Sequence, residues 1–123
     1  MKIVLIVAAM LVALTAIAHS YLGERYILTR LFRRGDLPRL FGSDWFTRRT
    51  LRFAWHLASV AWLGFAGVLV VVARDIAPSR GLILQVVAAT FATHAAIVAV
   101  ASRGKHLAWL AFGAVAWLVW AAS

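Results

Sequence analysis

Four apolar stretches, each long enough to cross a lipid bilayer, are the strongest constraint on what this chain can become. They cover approximately residues 3–22, 50–73, 81–101 and 106–122. Crossing ~30 Å of hydrocarbon takes about 20 helical residues at 1.5 Å each. Inside lipid every backbone amide must find a partner within the structure, and uninterrupted apolar runs without alternation favour helices over barrel strands. The reading is an all-α integral membrane bundle of four transmembrane helices forming a single domain over residues 1–123. A basic loop at 23–49 would begin with a short amphipathic interfacial helix.

The first run begins Met1-Lys2 and passes through Ala16-Ile17-Ala18, the arrangement of a signal peptide with a small-residue cleavage site. It continues beyond Ala18 to Leu22, so a retained span is expected. After it, Tyr26 to Arg34 puts Leu28, Leu31 and Phe32 on one helical face and arginines on the other. Such a segment belongs in the headgroup layer, with Arg30, Arg33 and Arg34 against anionic lipid. Gly35 to Pro38 should break it, and Ser43 or Asp44 should cap the next helix. The second connection carries Asp75 and the helix-stopping Pro78, and the third, residues 102–105, permits only a tight antiparallel hairpin.

Charge sets the orientation. The chain has 13 Lys and Arg against 4 Asp and Glu. Arg25, Arg30, Arg33, Arg34, Arg39, Arg48, Arg49, Arg52, Arg103 and Lys105 fall at the end shared by the first and third connections, leaving Lys2, Arg74 and Arg80 for the other. The positive-inside rule places the richer end in the cytoplasm and both termini outside, periplasmic if the membrane is a bacterial inner membrane. No stretch between spans is long enough for a nucleic-acid-binding domain, so the basic residues imply lipid rather than nucleic acid.

Each span carries one histidine: His19, His56, His94 and His106. Measured from the basic end, His19 lies about 9 Å inside Arg25, His56 about 6 Å inside Arg52 and His94 about 14 Å inside Arg103, with His106 at the interface. Intramembrane polar residues are costly and by default mark functional sites. Imidazole binds zinc, copper, iron and nickel, and two opposed histidines can hold a haem iron. These positions predict that His56 and His94 face one another and, with His19 and as the shallowest candidate His106, bind haem b or a transition metal ion, for electron transfer or metal handling. Thr90 and Thr93 would support His94 from the next layer. Ala92, Ala95, Ala96 and Ala99 would let the third helix approach its neighbours closely, making it the most enclosed.

Bland explanations exist for each residue. His106 can begin a helix, His19 can bond a carbonyl of its own helix, His56 and His94 can make structural or proton-relaying hydrogen bonds, and threonines bond back to their own chain. Glu24 is five positions from His19, about 140° away on a regular helix, and is expected to pair with an arginine of the interfacial segment. The stretch His19-Ser20-Tyr21-Leu22-Gly23-Glu24-Arg25 concentrates polar groups without naming an activity. Two rival functions therefore stand beside the histidine-ligand reading. One is an accessory or assembly subunit that uses the Trp-rich fourth span (Trp109, Trp117, Trp120) to bind a second copy or a larger complex. The other is a small proton-coupled carrier with His94 and His56 as its titrating groups.

Several chemistries are set aside. Without cysteine there are no disulfides, thiolate metal sites or c-type haem attachment. Glu-x-x-His pairs for a di-iron centre, a serine elbow and a phosphate-binding glycine loop are absent from the sequence. In length and span count the chain looks like a small multidrug-resistance transporter. That family relies on a first-span carboxylate and short loops, whereas His19 is the ionisable residue of this first span and a long loop follows it.

Overall fold

The structure, a computed structural model, describes residues 2–74 and 79–123 and is all-helical apart from one isolated bridge between Leu40 and Ser43. The turn expected at Asp75 and Pro78 lies outside the described residues. Helix α1 (Lys2–Leu22) runs into a π-helical turn (Gly23–Leu28) and on through α2 (Thr29–Arg33). Together they form one helix of 32 residues, about 48 Å long. The amphipathic segment after the first span is therefore a continuation of it and not a separate interfacial helix. Nothing breaks the helix before Gly35, whose φ of 74° ends it, because Gly23 is absorbed by widening one turn.

The connection then folds back on itself. Thr47 donates its hydroxyl to the Pro38 carbonyl at 2.8 Å, and Ser43 Oγ accepts the Trp45 amide at 3.4 Å. Helix α3 (Trp45–Arg74) starts one residue after Asp44, whose carbonyl takes the first helical amide, that of Arg48. Either predicted cap residue thus contributes. Helix α4 (Arg80–Ser102) is capped by Ser79, whose Oγ accepts the Leu82 amide at 3.1 Å. It ends on Arg103 in the left-handed conformation, with the Arg103 amide on the Ala99 and Val100 carbonyls.

Helix α5 (Ala108–Ala121) has only 14 residues, about 21 Å. Three helices are long and apolar enough to cross a membrane, and α5 is a shorter apolar helix beside them. The fourth run loses its first residues to the preceding turn, where His106 Nδ1 accepts the Ala108 amide at 3.3 Å.

The long elements pack as an open row, α1 on α3, α3 on α4 and α4 on α5. This differs from a closed bundle, and the sequence of α3 explains the difference. Its Trp55 and Ser59 side turns to α1 while Ala61, Gly64 and Val68 turn to α4. At 100° per residue Ser59 and Gly64 are about 140° apart, so a neighbour on one face cannot touch the other. Helix α4 accordingly has two helical neighbours, as α3 does, and its Ala92 and Ala96 remain exposed. At the basic end the hairpins are tied together through Trp45, whose ring lies 5.5 Å from Arg49, 5.6 Å from Arg103 and 5.0 Å from Lys105. The first and third connections thus share one end.

Candidate functional site

Between α1 and α3, near the basic end, six side chains form a continuous hydrogen-bonded chain. His19 Nδ1 lies 3.0 Å from Ser59 Oγ, Ser59 Oγ 2.8 Å from Ser20 Oγ, and Ser20 Oγ 2.9 Å from His56 Nδ1. His56 Nε2 then donates to Glu24 Oε2 at 3.3 Å. Glu24 also accepts from Arg52, Nε to Oε2 at 3.2 Å and Nη2 to Oε1 at 3.0 Å. Ser59 is buried, and the chain becomes more exposed towards Glu24 and Arg52.

Local structure assembles this chain. Ser20 and Glu24 are four residues apart on one strip of helix, as are Arg52 and His56 on the facing one. Gly23 admits the neighbouring indole: a Cβ there would fall 2.0 Å from Trp55 Nε1. Trp55 uses that approach to donate to the His19 carbonyl at 3.0 Å and to stack on the His19 ring, with centroids 4.5 Å apart and planes 3° apart. Trp62 meets the same imidazole edge-on at 4.8 Å. The π turn begins at Gly23, and such turns occur disproportionately at functional sites.

Of the residues expected to form one site, His19 and His56 are brought into one network and His94 is not. His94 is buried on the other side of α3, where its Nδ1 donates to the Thr90 carbonyl at 2.7 Å and its ring meets Phe91 and Phe112. His106 caps α5 and packs on Phe46 and Phe53. Thr90 and Thr93 donate to their own helix, at Val86 and Ala89, though the Thr90 carbonyl does hold His94. Among the described residues no group of three or more His, Cys, Asp or Glu side chains is arranged to hold a metal ion. The expected trio His19, His56 and His94 fails because α3 carries His56 on its α1 side and meets His94 with its opposite side.

Glu24 is the principal residue that sequence reasoning misplaced. It pairs with Arg52 of α3, not with Arg30, Arg33 or Arg34, which are exposed. Measuring Glu24 only against His19 hid it, since its register is set by Ser20 and by the facing helix. Ser59, three positions after His56, was the available signal for a polar strip on α3.

Fold and site together define an integral membrane protein with an ionisable hydrogen-bonded chain between its first two long helices. No family model, curated protein or solved structure matches the sequence.

Proposed function

We propose that this protein is a small proton-coupled membrane carrier in which the chain from His19 to Glu24 is the proton-transfer element. The observation that supports it is the unbroken succession of groups that both donate and accept. When His19 is an imidazolium and His56 is neutral, His19 Nδ1–H donates to Ser59, Ser59 to Ser20, and Ser20 to His56 Nδ1. Moving each proton one bond along reverses the chain: His56 Nδ1–H donates to Ser20, Ser20 to Ser59, and Ser59 to His19 Nδ1. His19 ends neutral with its proton on Nε2, and His56 ends as the imidazolium. No atom beyond a proton moves, and the net charge is unchanged.

Both ends are held in place by their neighbours. Trp55 stacks on the His19 ring and Trp62 meets it edge-on, which fixes the orientation of that imidazole. Glu24 accepts from His56 Nε2 and stays tied to Arg52. His19 to Glu24 is about 7.5 Å along the helix, so the relay links the headgroup layer to the membrane interior. The basic end faces the cytoplasm in this reading, with both termini outside, in a bacterial inner membrane, as the charge asymmetry supports. The C-terminal helix completes a fourth crossing.

Reconstitution into liposomes with a pH-sensitive dye inside tests the proposal. Wild-type protein should move protons down an imposed gradient, and His56→Gln should not. Equal, leak-level flux in both would refute it.

A second reading is favoured by α5, where Trp117 is 70% and Trp120 is 63% exposed on a helix too short to be a comfortable span. In that reading this face binds a second copy or a larger complex, and crosslinking through cysteine at Trp117 should trap the contact.

A further inference from the structure

His94 takes no part in the relay, yet it is 6% exposed in the middle of an apolar helix. Its Nδ1 faces a carbonyl oxygen at 2.7 Å, and a carbonyl can only accept, so that nitrogen carries a proton. In the neutral ring the other nitrogen then carries none. Nε2 is then a bare acceptor, and no described residue donates to it. A cleft of about 190 Å³ opens between α3 and α4, lined by Ala61, Gly64, Phe65, Thr90, Phe91 and His94. Its walls are otherwise apolar or aromatic, and the Thr90 hydroxyl proton is committed to the Val86 carbonyl.

We infer that this cleft binds one flat, lipid-soluble ring bearing a hydroxyl, a phenol or the ring of a quinol, whose O–H donates to His94 Nε2. The size agrees: an apolar cavity of about 150 Å³ holds benzene, so about 190 Å³ accommodates one ring with small substituents. Access fits a ligand dissolved in the bilayer, because Phe65, on the cleft wall, is 66% exposed. Specificity follows from the single unfilled acceptor, which rewards a donor and offers nothing to a hydrocarbon of the same shape. The site lies across α3 from His56 and stands whether or not the relay carries protons.

The probes are p-cresol and p-xylene, which differ by a hydroxyl in place of a methyl. With ¹⁵N-histidine-labelled protein in detergent micelles, p-cresol should shift the His94 Nε2 resonance saturably, and p-xylene should leave it in place. His94→Leu should weaken p-cresol roughly five- to tenfold, the worth of one neutral hydrogen bond, and leave p-xylene unchanged. Identical effects of the two compounds, no saturable response to either, or undiminished p-cresol affinity in His94→Leu would each overturn the assignment. Should His94→Leu fail to fold, the comparison of the two compounds on wild-type protein decides alone.

Discussion

Ser20 has one hydroxyl proton and two partners, Ser59 at 2.8 Å and His56 at 2.9 Å, so it is the position where the relay must reverse. Ser20→Ala should cut proton flux in liposomes to on the order of a hundredth, the usual penalty for losing a positioned proton-transfer group, while Ser20→Thr keeps most of it. The same alanine leaves two partners short of a hydrogen bond, worth about 1–3 kcal/mol of stability. Glycines give a sharper packing test. At Gly64 a Cβ would come within 2.5 Å of Thr90 Oγ1, a short branched side chain already bonded to Val86. At Gly113 the nearest atom to an added Cβ is Ala95 Cβ at 4.0 Å. Gly64→Ala should therefore destabilise by about 1–3 kcal/mol, and Gly113→Ala should be close to neutral, as read from thermal unfolding in detergent.

Among the elements, the segment joining α2 to α3 depends on a charge that pH can remove. Arg48 binds Asp44 through both Nε at 2.7 Å and Nη2 at 2.6 Å, donates to the Phe32 carbonyl and lies over the Phe32 ring. The hydrogen bond from Arg48 holds the Asp44 carboxyl below its ordinary value. A depressed carboxyl contributes above its unfolded value and loses that contribution as pH falls through the folded one. Protease cleavage within residues 35–43 should therefore rise only below the usual carboxylate range, and Asp44→Asn should show the faster cleavage at neutral pH. How far such elements can be read from sequence depends on their range of interaction. The apolar runs, the Ser43-Asp44 start of α3 and the amphipathic Tyr26 to Arg34 stretch are local patterns, and they are present. The π turn at Gly23 is not local, because the indole that occupies the space of its missing Cβ comes from Trp55, far along the chain. Helix α5 is shorter than its apolar run because hydropathy does not register the turn that His106 makes.

At the scale of the whole molecule, an open row of helices replaces the closed bundle that four similar spans suggest. Hydrophobicity cannot choose between them, since lipid and a neighbouring helix are equally apolar; small residues and polar strips decide, and on α3 they lie on two faces. That arrangement divides the histidines, giving His19 and His56 to one side and His94 to the other. It also gathers the positive charge at one end. If that end is cytoplasmic, a cysteine at Gly35 should resist an impermeant thiol reagent in intact cells while one at Ser123 reacts; the reverse pattern would invert the topology. In a synthetic peptide of residues 26–34, replacing Arg30, Arg33 and Arg34 by Gln should weaken binding to anionic vesicles by roughly 1 kcal/mol per residue and to neutral vesicles hardly at all. The relay itself is tested most directly by following the ring nitrogens of His19 and His56 by ¹⁵N NMR across pH in wild-type protein and Ser20→Ala. In the wild type both rings should respond together at one shared midpoint, because the chain passes the proton between them, and Ser20→Ala should separate the two responses. Independent titration of the two rings in the wild type, unchanged by Ser20→Ala, would contradict it.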